Sequence, residues 1–270
     1  MASMLTDVIR EVTGTTDPRV ATWPLMGTPV HMACLLIAYV YFCKIFGPRF
    51  FKERDPLAIT WLVRLHNVSL ITFNILIVYS YSTLALFTGN FNWLCLTSIY
   101  SQVSILNLCW WYLVVKILDL LDTVFFVVTK KQDHVTTLHV FHHVSVVITV
   151  WLDIKYGVLG QNIASIVLNS LVHVIMYSYY FLTTLGPKVR RFLWWKKYLT
   201  ALQIVQLVTI SVHQSLPLFM DCGLRPKWLT ILAEGELVIV TLMFFQFYCR
   251  TYNSKRQQLE PMADDHKKTG

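Results

Sequence analysis

Residues 138–143 read LHVFHH, inside the run TLHVFHHVSVVITVW (137–151), which in every other respect is the sequence of a membrane helix. In lipid no water is at hand to satisfy polar groups, so each imidazole placed there has to be compensated by the protein. His139, His142 and His143 stand at i, i+3 and i+4 and therefore share one helical face. A single histidine on an apolar face is ordinary packing; three on one face point to metal ligation by neutral imidazole, or to acid, base and nucleophile chemistry.

The rest of the chain supports the membrane reading. Of its 270 residues, 55% are hydrophobic and 14% charged, more apolar surface than a soluble protein of this length hides. Seven apolar runs, at about 28–46, 61–87, 96–128, 137–151, 159–184, 198–216 and 227–249, predict an all-α polytopic membrane protein with seven transmembrane helices. Residues 1–22 have no apolar core of a signal peptide, so the first run is expected to stay in the membrane. The chain divides into an N-terminal segment 1–27, a helical domain 28–249 and a polar tail 250–270.

Sixteen of the 23 Lys and Arg fall on one set of span ends: Lys44, Arg49, Lys52, Arg54, Lys130, Lys131, Lys188, Arg190, Arg191, Lys196, Lys197, Arg250, Lys255, Arg256, Lys267 and Lys268. That asymmetry predicts a cytosolic C-terminus and a lumenal N-terminus. The net charge of +8 thus lies on a cytosolic surface, suited to membrane lipid headgroups or a phosphorylated substrate. Nucleic acid is excluded as a partner, since no soluble basic domain exists to hold it. The final KKTG resembles a dilysine retrieval signal of the endoplasmic reticulum. Cys95 and Cys222 fall in or beside lumenal connections, where an oxidising compartment would let them pair as a disulfide or leave two thiols; the other four cysteines are expected to be free.

Ionisable groups inside spans are the functional suspects. The third run contains KILDLLDT, with Lys116, Asp119, Asp122 and Thr123 at helical spacing, readable as a packing ion pair or as chemistry. The fifth contains NSLVHVIMYSYY, where Asn169 one turn before His173 would fix an imidazole tautomer, and Tyr177 and Tyr180 follow on the same stripe. The sixth contains TALQIVQ, with Gln203 and Gln206. His66 and His213 lie near span ends and call for no special role. At ~1.5 Å rise per residue from the basic ends, Asp122 and His142 lie roughly 8–9 Å deep, and Lys116 and His173 roughly 16–18 Å. One buried chamber reached from the basic side would hold all four.

HVFHH resembles the histidine box HxxHH of the ELO family of fatty acid elongases. KILDLLDTVFFV, NSLVHVIMYSYY and LWWKKYLTALQIVQ match it in the same order, from about residue 17 onward. Asp119 stands where the family pattern KxxExxDT has Glu, and Ser170 where it has Thr after the asparagine. The resemblance implies six helices in a ring around an acyl tunnel, with the first helix outside. It further implies an acyltransferase of the endoplasmic reticulum, a very-long-chain 3-ketoacyl-CoA synthase that condenses acyl-CoA with malonyl-CoA in the first step of elongation, alongside a ketoreductase, a dehydratase and an enoyl reductase. No cofactor and no metal are expected. Neutral imidazole attacks thioesters and leaves readily, so His142 is assigned the acyl group and His173 the enolate or a proton transfer, with His139, His143, Asp122 and Asn169 in support. Lys116, Asp119, Tyr177, Tyr180 and Gln203 are expected to line the substrate path. Lys196, Lys197, Arg190 and Arg191 are expected to meet the CoA phosphates. The rival reading, a di-iron membrane desaturase or hydroxylase, needs about eight histidines in three boxes; this chain has one box of three and six scattered histidines.

Overall fold

The computed structural model describes residues 17–87, 103–156, 162–220 and 227–253. Seven long helices dominate the described residues: α1 (Pro29–Phe50), α2 (Thr60–Phe87), α3 (Val103–Val128), α4 (Thr137–Lys155), α5 (Asn162–Thr183), α6 (Lys196–Phe219) and α7 (Lys227–Tyr248). All but α3 are long and apolar enough to cross a membrane. Helix α3 is 26 residues long and carries Lys116, Asp119 and Asp122 in its second half. Large apolar side chains such as Ile37, Trp61, Tyr79, Val205 and Phe245 point outward, more than half exposed. Such a surface is stable against lipid and aggregates in water. The chain is a multi-pass membrane protein.

The helix ends follow from local chemistry. Pro29 opens α1 at the first turn, where a missing N–H costs nothing. Residues Phe42–Phe46 widen into a π turn just ahead of Pro48, whose ring and absent donor disrupt regular α geometry. The helix then continues to Phe50, past the expected end near 46. Lys130 ends α3 in the left-handed region at φ 57°, with Lys131 N–H bonded to the Phe126 carbonyl (2.8 Å) and Lys130 N–H to that of Val127 (3.1 Å). Its ammonium donates to the Lys52 and Arg54 carbonyls at 3.1 and 3.0 Å and so holds the α1–α2 connection. Thr136 caps α4, its hydroxyl accepting from His139 N–H at 3.1 Å, one turn before the histidine face begins. Gly186, at φ 103°, turns the chain out of α5 in a region that side chains disfavour.

Packing closes a circle. Helix α2 contacts α5, α5 contacts α6, α6 contacts α7, α7 contacts α4, α4 contacts α3, and α3 returns to α2. Helix α1 lies outside, touching α3 through its π turn and last turn. Helices α2 to α4 and helices α5 to α7 therefore form two three-helix halves, which meet at the α2–α5 and α4–α7 seams. At the end away from the lysines, residues 17–27 fold over α3 and α4. Val20 and Met26 are fully buried there, and the Leu25, Met26 and Pro24 carbonyls accept from Trp151 (2.8 Å), Lys155 (2.8 Å) and Trp110 (3.1 Å). Cys34, Cys43, Cys109 and Cys249 are free, whereas Cys95, Cys222 and the KKTG tail lie outside the described residues.

Candidate active site

The three-residue spacing of Lys116, Asp119 and Asp122 sets them on one stripe of α3, and that stripe faces into the ring: their exposures are 3%, 1% and 7%. Lys116 Nζ donates to Asp119 Oδ2 at 2.9 Å and to Asn169 Oδ1 at 3.0 Å, and sits 4.9 Å from the Tyr112 ring centre. The cation is thus compensated by a carboxylate, an amide oxygen and an aromatic face, as a charge in this setting requires. It also lies 3.4 Å from His173 Nδ1. An ammonium can only donate, so this contact makes Nδ1 the acceptor and leaves the imidazole proton on Nε2. Lys116, rather than the expected Asn169, therefore sets the His173 tautomer. Asn169 instead accepts from both Lys116 and the Tyr112 hydroxyl (2.9 Å), which fixes its amide.

Tyr177, fully buried on α5, reaches Asp119 Oδ1 at 2.9 Å and Asp122 Oδ2 at 2.8 Å. One phenol carries one proton, so two good hydrogen bonds to two carboxyls require a further proton on one of the carboxyls. The other Asp122 oxygen faces His66 Nε2 at 3.0 Å. His66, expected to need no role near its span end, is buried, edge-on to the rings of Phe125 and Tyr177 at 5.1 and 6.4 Å. Its position six residues into α2 was read as water-accessible; the α2–α5 seam covers it.

On α4, His139 and His143 stack edge to face at 4.4 Å, with His139 also against Phe126 at 5.6 Å. His142 packs on Phe244 of α7 at 5.8 Å. Two ring nitrogens, His139 Nε2 and His142 Nδ1, are buried without a hydrogen-bond partner among the described residues. A small chamber joins His142 and His143 to Lys116, Asp119, Asn169 and His173, so three helices bring six of the expected residues together. Asp122 lies one layer toward the basic end with Tyr177 and His66, and Tyr180 continues the aromatic stack 6.0 Å from Tyr177. Gln203 is spent on the Met176 sulfur, 3.3 Å away. Among the described residues, no cluster of three or more His, Cys, Asp or Glu is placed to hold a metal ion.

Beyond His142 opens a cavity of about 110 Å³, walled by α3 to α7. Apolar residues such as Val146, Ile166, Leu207 and Val240 alternate there with polar ones that the sequence reading passed over. Glu236 accepts from Ser145 and Thr149, each at 2.7 Å, across the α4–α7 seam. Asn162 bonds Asp153, and Gln214 reaches Asn162 (2.7 Å) and Ser165 (2.8 Å). The signal for Glu236 was present: an ionisable residue in an apolar run, the criterion that singled out Asp119. Cys109 also faces the cavity, within 2.7 Å of the Tyr81 hydroxyl.

At the basic end, the four cations expected near phosphate are exposed, but Arg190 is engaged, donating to the Thr183 carbonyl at 2.9 Å. Arg191 and Lys197 lie over Phe192 and Tyr198. In the α3–α4 connection, burial pushes the His134 imidazole below its usual range, and the nearby charges of Lys196 and Lys131 push it further the same way. The charges of Lys131 and Lys196 thus both act on this one imidazole.

The site therefore offers imidazoles beside a paired lysine, with His142 bordering a cavity of largely apolar surface. Comparison with known proteins places the chain in a family. Residues 24–260 match the sequence profile of the ELO: GNS1/SUR4 family. A very long chain fatty acid elongase of Aedes aegypti is 36% identical over 252 residues, covering 92% of this chain and 70% of its own. Very long chain fatty acid elongase 4 of Mus musculus is 37% identical over 249 residues, 89% of this chain and 78% of its own. Very long chain fatty acid elongase 1 of Homo sapiens is 34% identical over 256 residues, 93% and 91%.

Proposed function

Because this chain belongs to the ELO: GNS1/SUR4 family, we propose that it is a fatty acid elongation enzyme, and more closely a very-long-chain 3-ketoacyl-CoA synthase acting on acyl-CoA and malonyl-CoA. The observation that carries the finer reading is the place of His142, which borders both the 110 Å³ cavity and the polar chamber of Lys116, Asp119 and His173. A thioester carbonyl held at that neck has its hydrocarbon tail in the cavity and its CoA toward the basic end.

In this reading His142 attacks the thioester carbonyl, the C–S bond breaks, and CoA leaves with the imidazole proton. The acyl-imidazole stays in the chamber while malonyl-CoA replaces CoA. Loss of carbon dioxide from malonyl-CoA leaves an enolate, whose oxygen is stabilised by the His173 Nε2–H, while the Lys116 ammonium, its three N–H groups spent on Asp119, Asn169 and His173, holds that ring in place and lends its charge. Its carbon attacks the acyl carbonyl, expelling imidazole, which regains a proton. Decarboxylation drives the step, so the chemistry calls on no cofactor. The Lys and Arg ends face the cytosol in this reading, where both CoA substrates are, and the endoplasmic reticulum membrane is the site of action beside the remaining enzymes of the cycle.

The test is direct. Purified protein given acyl-CoA alone should release CoA and carry an acyl mass on His142, and labelled malonyl-CoA should then yield 3-ketoacyl-CoA. His142→Ala should lose roughly a thousandfold or more in turnover while inserting and folding normally. Turnover near wild type in that variant would remove His142 from the chemistry.

A further inference from the structure

Decarboxylative condensation takes up one proton whatever the route. The C–CO₂ and C–S bonds break, a C–C bond forms, and CoA departs as a thiol, so acyl-CoA and the malonyl-CoA carboxylate need H⁺ to balance. The reaction chamber is buried, and that proton has to enter. We propose that His66, Asp122, Tyr177, Asp119 and Lys116 form a proton-transfer chain from the basic end of the molecule to His173, with His66 as its entry group. The proposal rests on the condensation reading but not on an acyl-enzyme.

The contacts run without a break: His66 Nε2 to Asp122 Oδ1 at 3.0 Å, Asp122 Oδ2 to the Tyr177 hydroxyl at 2.8 Å, that hydroxyl to Asp119 Oδ1 at 2.9 Å, Asp119 Oδ2 to Lys116 Nζ at 2.9 Å, and Lys116 Nζ to His173 Nδ1 at 3.4 Å. Each carboxylate uses one oxygen for the link before it and the other for the link after it, as a relay requires. A pair built for packing has no need of that division. The exposures fall and rise along the same path: 9% at His66, 7% at Asp122, 0% at Tyr177, 1% at Asp119, 3% at Lys116 and 8% at His173. Accessible surface is therefore least in the middle of the path and remains toward its two ends, His66 and Asp122 on one side and His173, on the chamber, at the other. Tyr177 between two carboxyls already demands a shared proton, and passing a proton from Asp122 to Asp119 breaks two O–H bonds, that of the Asp122 carboxyl and that of the phenol, and forms two, one on the phenol and one on Asp119, with no heavy atom displaced.

As the proton leaves Lys116 for His173, and from there the departing sulfur or imidazole nitrogen, Asp119 reprotonates the amine and the chain refills through Asp122 from His66 and water. The titratable groups facing His66 are Asp122 on α3 and Tyr177 on α5; Arg64, on the same helix as His66, is held by the Thr184 hydroxyl and carbonyl at 3.1 and 2.6 Å.

The full-length protein, His66→Ala and His66→Gln are assayed for 3-ketoacyl-CoA formation in H₂O and D₂O, with and without added imidazole. Glutamine keeps a donor for Asp122 but passes no proton. Both variants should lose about tenfold or more in kcat with both KM values unchanged, and should show a larger solvent isotope effect. Imidazole should restore His66→Ala and leave His66→Gln slow. Turnover equal to wild type in either variant, or a loss that tracks thermal stability and ignores both D₂O and imidazole, overturns the relay. Wild-type protein that makes no 3-ketoacyl-CoA overturns the condensation reading itself, and with it the demand for this proton.

Discussion

Two polar regions lie inside the same ring of helices, and they are built from similar residues. Toward the lysine-rich end, Lys116, Asp119, Asp122, Tyr177 and His173 are linked in series, with two protons shared between the Tyr177 hydroxyl and two carboxyls and two imidazole nitrogens nearby unpartnered among the described residues. Toward the other end, Glu236 meets two hydroxyls with two oxygens, and Asp153, Asn162 and Gln214 answer one another's donors and acceptors. Burial alone does not separate these regions, nor does the presence of carboxylates. What separates them is whether the hydrogen-bond count closes. A closed set rigidifies helix packing, whereas a set left open holds groups ready to change partners.

The strongest way to break that contrast is to remove the cation at the centre of the open region. Lys116→Met leaves Asp119 as a buried charge without its counter-ion, and such losses cost about 3–5 kcal/mol of stability. Melting in detergent should fall accordingly, and turnover by about a hundredfold or more. The sharper variant is Lys116→Met with Asp119→Leu, in which the stranded charge is gone. Stability should then recover substantially while activity does not. Recovery of both would make the pair a packing device.

The seven runs, their order and the residues of the open region were legible in the sequence, because an ionisable side chain within an apolar run is conspicuous and helical spacing tells which residues share a face. Partnership was not legible. Asn169 precedes His173 by one turn on α5, and nearness along the helix suggested a bond between them; the side chain instead crosses to Lys116 and Tyr112 on α3. His66 was set aside by its nearness to a helix end, whereas Asp122 and Phe125 of α3 and Tyr177 of α5 pack against it, residues more than fifty positions away in the chain and adjacent only once the ring closes. Closure of the ring itself follows from contacts between helices that no periodicity records, although the family resemblance implied it.

Glu236 sharpens the contrast from the closed side. Glu236→Gln offers one oxygen acceptor and one amide donor to the Ser145 and Thr149 hydroxyls, which rotate to suit, so stability should change by less than about 1 kcal/mol and turnover by less than about twofold. Glu236→Leu removes both acceptors from buried hydroxyls at the α4–α7 seam and should cost about 1–3 kcal/mol in a thermal melt, with kcat still near wild type. A tenfold loss of kcat in the glutamine variant would mean that the carboxylate takes part in chemistry, and that a completed hydrogen-bond count does not mark a structural group.

The smallest effect is expected outside both regions, at the mouth. Lys196 and Lys197 are exposed at the start of α6, and the charges of Lys196 and Lys131 both act on His134. CoA carries a 3′-phosphate and a diphosphate, and two mobile ammonium groups at the rim can meet them without changing anything at the His142 neck. Exposed ion pairs are individually weak and screened by salt, so Lys196→Ala with Lys197→Ala should raise the KM for both CoA substrates only about two- to fivefold at low ionic strength. The difference from wild type should shrink as salt is added, and kcat should hold, because the rim does not touch the reacting carbon. Arg190, tied to the Thr183 carbonyl, is the internal control: its replacement should lower loop stability more than it raises KM. KM values that stay level across ionic strength in the double variant would leave these lysines as part of the charge asymmetry between the two ends of the helices, with no part in holding substrate.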